Sequence, residues 1–304
     1  MNEPNSPPSR GRIALMLSGL ALAAGCQSST APVTTYPEQI AFTAIADRYM
    51  RIVIMDPDGS NPVTITEDMQ TNLEPTFSPD GSGILFTSWR AGDANIWIMD
   101  RDGSNARGLT IHSGNDRSAR FSPDGQRIAF VSQRDGTYEI YRMKSDGSEI
   151  VNLTNSPGSV DLDPRWSPDG TKVLFCSTRG AEGTEEIFSL WTMNLDGTGL
   201  TRLPVEGGAR WPAWSPDGTR IAFSSDRGGD TEIYVMNADG SNQVNVSNNP
   251  GVDEEPYWSP DGSRLVFSTR RDGTPQIYSM GADGSNPSNL TQTDHWVAMP
   301  AWTR

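Results

Sequence analysis

Pro212-Ala213-Trp214-Ser215-Pro216-Asp217-Gly218-Thr219-Arg220-Ile221-Ala222-Phe223-Ser224-Ser225 joins a short aromatic-ended run to a β-branched and aromatic run through a tight turn. The turn is chemically specified: proline pre-sets φ at the first turn position and glycine takes the left-handed one. The same Ser-Pro-Asp-Gly turn occurs at Ser78–Gly81, Ser122–Gly125, Ser167–Gly170, Ser215–Gly218 and Ser259–Gly262, with spacings of 44, 45, 48 and 44 residues. A fixed period in this range is the mark of a repeat architecture. A second turn of aspartate and glycine follows an apolar run ending in methionine. It occurs six times, opening at Met55, Met99, Met143, Met193, Met236 and Met280.

Each repeat therefore reads as four strands. In the fifth, strand A is Pro212-Ala213-Trp214, strand B runs from Arg220 to Ser225, strand C is Ile233-Tyr234-Val235-Met236 and strand D is Gln243-Val244-Asn245-Val246. A polar loop joins B to C, and Ala238-Asp239-Gly240 turns C into D. Strands B and C are apolar at consecutive positions, the pattern of a sheet covered on both faces. Four strands in about 44 residues match a β-propeller blade. The first repeat opens in strand B at Ile40-Ala41-Phe42-Thr43, and the chain closes on a strand A, Met299-Pro300-Ala301-Trp302. Joined, the two ends make one blade and leave no unpaired sheet edge. The expectation is an all-β, six-bladed propeller of four-stranded antiparallel blades over residues 39–304, closed by the C-terminal strand.

Trp214-Ser215-Pro216-Asp217-Gly218 followed by Ile221-Ala222-Phe223-Ser224 resembles the WD40-like repeat of the TolB propeller family, and the resemblance covers about 39 to 304. The resemblance implies the fold. It implies less about function, because one fold hosts many activities.

The N-terminus indicates the compartment. Arg10 and Arg12 precede the apolar run Ile13 to Ala24, which leads into Gly25-Cys26. Twelve apolar residues are too few to span a bilayer core, so residues 1–25 read as a secretory signal. The cysteine after Ala24-Gly25 resembles the bacterial lipoprotein signal, which implies acylation of Cys26, and Gln27 after it implies the outer membrane. Acyl chains on Cys26 would anchor the protein in the cell envelope facing the periplasm. Residues 26–38, rich in serine, threonine and proline, read as a flexible tether.

The formal charge is −14, and without residues 1–25 there remain 22 basic and 37 acidic residues, or −15. Such a chain is poorly suited to nucleic acid or anionic headgroups, and a basic protein partner or a cation suits it better. Of the two cysteines, Cys26 is assigned to lipid and Cys176, in Val173-Leu174-Phe175-Cys176, to the core.

In this topology the tight A–B and C–D turns share one face, and the longer B–C and D–A loops share the other. Binding residues concentrate on long loops held by a rigid scaffold. The D–A segments carry Glu67, Asp68, Glu74, Asp116, Asp161, Asp163, Glu206, Asp253, Glu254, Glu255 and Asp294 against only Arg117 and Arg210. Two readings stand: an acidic mouth for a basic partner or hard cation, and plain loop solubility. Glu74, Asp163 and Glu255 precede strand A at equivalent places and are the candidates for a Ca²⁺ site at the channel mouth. Trp89, Trp211, His295, Trp296 and Glu254 fall on the same face, as does the blade-four insertion from Gly180 to Glu186. Together with the three acids these residues form the candidate partner-binding face, tryptophan being over-represented at interface hot spots. An arginine follows each strand B, at Arg90, Arg134, Arg179, Arg227 and Arg270. A residue repeated in every blade serves the blade, so pairing with a nearby carboxylate or carbonyl is expected.

Catalytic motifs are scarce. There is no Gly-x-Ser-x-Gly, and the two histidines, His112 and His295, cannot make a three-histidine metal site. Oligogalacturonate lyases resemble the repeat as well, but the histidine-rich metal site implied there cannot be assembled from this chain. The expected function is a non-catalytic protein-interaction scaffold of the envelope, with a glycan or cell-wall polysaccharide binding module as the alternative and, after it, a propeller hydrolase or lyase, since carboxylates are abundant. Two departures from the resembled family, no additional N-terminal domain and an expected lipid anchor, set its specific role apart.

Overall fold

The computed structural model describes residues 36–112, 114–180 and 187–303. The expected signal, Cys26 and most of the insertion after Gly180 lie outside them. The described residues form six four-stranded antiparallel sheets. Blade 5 has Arg210–Trp214, Arg220–Ser225, Glu232–Asn237 and Val244–Asn245 as strands A to D. Blade 1 is assembled from both ends: Val297–Trp302 lies beside Ile40–Ala46, followed by Tyr49–Met55 and Val63–Thr64. Ile40 stands opposite Trp302 and Ala41 opposite Ala301. The join continues one residue further, where Gln39 N–H donates to Thr303 Oγ1 (3.0 Å) and Thr303 N–H to Gln39 O (2.9 Å).

Strand A is innermost. Asn72–Phe77, Asp116–Phe121, Asp161–Trp166, Arg210–Trp214, Asp253–Trp258 and Val297–Trp302 touch in succession, and the last touches the first. The apolar core lies between blades. One cluster joins Leu85 and Ile96 of blade 2 to Phe121, Phe130, Tyr141 and Met143 of blade 3. Another joins Leu174 and Leu190 of blade 4 to Ile221, Phe223 and Met236 of blade 5. That is why strands B and C carry apolar residues on both faces.

The turns are built as their sequences require. Ser78 Oγ donates to Asp80 Oδ1 (2.5 Å) and accepts from Gly83 N–H (2.9 Å), while Gly81 N–H closes the turn on Ser78 O (2.9 Å). The serine hydroxyl is the largest cause holding the turn aspartates Asp80, Asp124, Asp169 and Asp261 below the usual carboxylate range, and it brings Asp217 to about 2. The glycine of the C–D turn has a further constraint. At Gly103 φ is +88° and an added Cβ would stand 2.1 Å from Ile65 O of the preceding blade. At Gly136, φ is +106° with nothing within 4 Å. Gly103→Ala is expected to lose about 1 kcal/mol more stability than Gly136→Ala, since both carry the left-handed strain and only the first carries the clash. Equal midpoints in urea would remove that explanation.

The repeated arginine behaves as expected, with one correction. Arg90 pairs with Asp68 (2.7 Å), Arg134 with Asp116 (3.0 Å) and Arg179 with Asp161 (2.7 Å), and Arg227 donates to Gln243. In blade 6 the equivalent residue is Arg271, on Asp253 at 2.9 Å, rather than Arg270. The equivalence follows the strand's last inward residue, Thr269, whose Oγ1 accepts from Arg271 as Ser88 Oγ accepts from Arg90. Each of these guanidinium groups also lies over its own blade's strand-B phenylalanine, from Phe86 (5.2 Å) to Phe267 (5.3 Å).

The first described residues of the chain contact the propeller. Arg101 donates to Pro37 O (2.6 Å) and twice to Gln39 Oε1 (3.0 and 2.7 Å), and its guanidinium lies 5.2 Å from the Tyr36 ring centre. Residues 36–38 are therefore seated on blade 2 at the tight-turn face.

Candidate functional site

The acids of the D–A segments do not form one solvated funnel. Asp116, Asp161 and Asp253 are fully buried within strand A, and each is held by its blade's arginine; Asp68 is likewise paired. Four of the eleven expected acids thus serve individual blades. The field at the mouth is correspondingly weaker than the sequence count implies.

Nearer the axis the six inner strands share a bulge. Registers jump between Leu73 and Thr76, Arg117 and Arg120, Leu162 and Arg165, Arg210 and Ala213, Glu254 and Tyr257, and, in the closing strand, Ala298 and Ala301. Two residues of strand A there oppose one of strand B, which bends the strand and re-aims a side chain. The bulged residue has left-handed φ in every blade: Glu74 (55°), Ser118 (55°), Asp163 (55°), Trp211 (48°), Glu255 (60°) and Met299 (60°). Non-glycine residues pay of order 1–3 kcal/mol for such backbone, and five of these six also precede proline, so the surrounding contacts must hold it.

Those contacts are visible. Glu74 accepts Ser118 N–H of the next blade (2.7 Å), Ser118 Oγ (2.9 Å) and Thr87 Oγ1 (2.8 Å). Glu255 accepts Met299 N–H of the next blade (2.7 Å) and Ser268 Oγ (2.7 Å). Asp163 accepts the thiol of buried Cys176 at 3.3 Å, and burial first, then the Asp163 charge, push that thiol well up. The structure places Glu74, Asp163 and Glu255 at equivalent bulge positions within strand A rather than before it. Glu74 and Glu255 use their oxygens to tie blades together, whereas Asp163 accepts from its own blade. Among the described residues, no three His, Cys, Asp or Glu side chains gather as a metal site would require.

Acids hold the ring position in blades 2, 4 and 6, and blades 3, 5 and 1 carry Ser118, Trp211 and Met299 there. In blade 5, Ser224, placed as Thr87, Cys176 and Ser268 are, has a buried hydroxyl with no partner. Around it opens a cavity of about 620 Å³ on the long-loop face, bounded by Phe188, Arg210, Trp211, Ser224 and Glu254. Arg210 lies 4.0 Å from the Phe188 ring centre. Burial pushes Glu254 up, against the neighbouring Arg270 and Arg210 charges.

Of the remaining expected site residues, His295 is exposed and borders a separate groove of about 240 Å³ with Ile45 and Val297. Trp296 is half-buried and gives its carbonyl to Ile45 N–H (3.0 Å). Trp89 is half-buried near the end of a blade-2 strand, Gly83–Ala91. Among the described residues, Trp211 and Glu254 share a cavity. Ser118 and Met299 were missed as ring members. Met299 was findable as the residue before the strand-A proline, whereas Ser118, followed by Ala119, was not.

Six sheets closed by a shared blade around an axial ring define a six-bladed β-propeller. The chain belongs to the family described as the TolB beta propeller domain, which matches residues 30–211 and 205–304. It is 44% identical over 50 residues to the Tol-Pal system protein TolB of Roseobacter denitrificans, a stretch covering 16% of this chain and 11% of that protein. It is 34% identical over 62 residues to the TolB of Desulfosudis oleivorans, covering 20% and 14%. The matched stretches thus span little more than a tenth of either relative. The crystal structure of TolB from Acinetobacter baumannii superposes with a TM-score of 0.78 at 24% identity, covering 89% of this chain and 67% of that one.

Proposed function

We propose that this chain is a non-catalytic interaction scaffold of the bacterial cell envelope, which receives a protein partner on its long-loop face around Trp211 and Glu254. The observation that carries the reading is the ring tryptophan of blade 5, Trp211, which borders an open cavity together with a buried, unpaired Ser224 hydroxyl. A bulky aromatic beside a half-buried charge is the composition of an interface hot spot. Family membership supports the envelope setting, since the relatives matched are named as Tol-Pal system proteins.

A lipid anchor at Cys26 is part of the same proposal, and Tyr36 to Gln39 dock at the tight-turn face through Arg101, away from the long loops. Cys26→Ser is the variant that tests the anchor, by release of the protein from membranes. Crosslinking and pull-down from the native envelope test the partner. A stoichiometric protein is expected, with capture reduced about tenfold or more by Trp211→Ala, the loss of one hot-spot side chain. Retention on peptidoglycan or polysaccharide without a protein partner would instead establish the glycan reading.

A further inference from the structure

The opposite mouth of the axis holds a second cavity, of about 290 Å³, to which all six blades contribute. Its rim is made by the prolines of the five Ser-Pro-Asp-Gly turns, and its walls include Phe121, Trp166, Trp214, Tyr257 and Trp258. Its charged content is one-sided. Arg120 and Arg165 line it, and no carboxylate does among the described residues, in a protein of net charge −14.

Arginine and tryptophan side chains of neighbouring blades surround it. Arg165 Nε donates to Pro212 O (2.9 Å), and its guanidinium lies 5.5 Å from the Tyr257 ring centre. It crosses blade 5 to reach that ring because the intervening residue is the small Ala213. Arg120 spends one terminal nitrogen on the Ala119 carbonyl (2.8 Å), while its Nε is buried and without a partner. Trp166 Nε1 donates to Arg120 O (2.9 Å) and Trp258 Nε1 to Ala213 O (3.1 Å), each reaching the preceding blade. Trp214, between them in the ring, has a buried Nε1 with no partner. A buried donor without an acceptor costs about 1–3 kcal/mol, and such groups call for an explanation.

We propose that this axial cavity at the tight-turn face is a binding site for a small organic carboxylate with an apolar body. The two guanidinium groups supply donors and positive charge beside the hydroxyls of Thr76, Tyr257, Ser259 and Thr303, and with no carboxylate among the described lining residues that charge selects an anion over a cation. The proline and aromatic walls select an apolar body rather than a hydrated inorganic ion. The volume stands at the lower end of small-molecule pockets, which limits the body to about one ring. The net negative charge works against anions condensing on the surface, so uptake must come from these local donors. The site is independent of the long-loop face and of whatever partner binds there.

N-acetyl-L-phenylalanine and its C-terminal amide are the probes, followed by quenching of the tryptophan fluorescence. The free acid is expected to saturate at millimolar concentration, and the amide to bind about tenfold more weakly or worse, the loss of a charge-assisted hydrogen bond. Arg120→Gln is expected to reduce the affinity for the acid about tenfold and to leave the amide unaffected. A short peptide ending in phenylalanine separates the two sources of the chemistry. Affinity equal to the acid's extends the ligand class to chain termini, and exclusion of the peptide restricts it to free carboxylates. Equal binding of acid and amide, or no saturation by either, overturns the proposal. So does inorganic phosphate displacing the acid at equal concentration, which would mark a simple anion site. The acid–amide comparison uses the unaltered protein, so it decides the matter even if Arg120→Gln fails to fold.

Discussion

Trp302→Ala is expected to cost about 3–5 kcal/mol of stability, the range for removing a buried aromatic side chain, and to lower the melting temperature by roughly 10 °C. Trp302 is 3% exposed and packs with Ile40, Phe42, Val53 and Met55 of its own blade and with Val266 and Ile277 of blade 6. It therefore joins the closing strand to both the N-terminal strands and the last repeat. Its indole nitrogen has no hydrogen-bond partner, so the loss is one of packing and cavity formation. Tryptophan-to-alanine replacement at Trp258 removes a hydrogen bond to Ala213 O as well, but leaves the closure intact. The discriminating measurement is hydrogen exchange at Ala41 and Thr43, which stand opposite Ala301 and Ala298. Protection there should fall in Trp302→Ala and persist in Trp258→Ala. If both variants lose it equally, or Trp302→Ala loses less than about 1 kcal/mol, closure by the shared blade is not what holds the ring.

The architecture was legible because turn chemistry and apolar runs repeat with a period, and the two ends complete each other. Finer register was not. Arg270 and Arg271 are adjacent, and only the inward-facing Thr269 shows which of them is the blade's arginine. The acids before strand A read as loop residues, since a bulge leaves no mark of its own in composition. Asp116, Asp161 and Asp253 instead begin the innermost strands and are paired there. The tight-turn cavity was passed over for a physical reason. Short turns carry few side chains, but the axial pit behind them is lined by strand A, where Arg120, Arg165 and Ala213 sit two residues past the bulge. Equivalent positions around a ring act together, and a reading made one repeat at a time does not add them up.

The wild-type protein is expected to lose stability as pH rises from 5 to 8, and Glu255→Gln is expected to abolish much of that slope. Burial pushes the Glu255 carboxyl up to about 7 from an ordinary 4.5, with Glu254 and Glu74 adding to the rise. Ser268 and Met299 N–H oppose it without cancelling it. A group whose folded value exceeds its unfolded value binds its proton more tightly when folded. Its contribution is complete below 4.5 and is lost as pH climbs through 7. Burial also raises Glu232, Asp253 and Glu254, which add in the same direction. The turn aspartates act oppositely: their lowered values give stability that is present above 3.8 and lost in stronger acid. The two windows place maximal stability near the lower end of the range between them. The full Glu255 shift corresponds to about 3 kcal/mol at one pH unit per 1.36 kcal/mol, and partial solvent access reduces the expected effect to about 2 kcal/mol. Glutamine keeps the acceptor for Met299 N–H, and its amide can donate to Ser268 Oγ. Glu255→Gln should therefore match the wild type at pH 5 and exceed it by about 2 kcal/mol at pH 8. His112, His295 and the other carboxylates are common to both proteins and cancel in the difference. Parallel stability curves for the two proteins across that range would mean that Glu255 is ionised in the folded ring, with its charge carried by the hydrogen bonds from Met299 and Ser268.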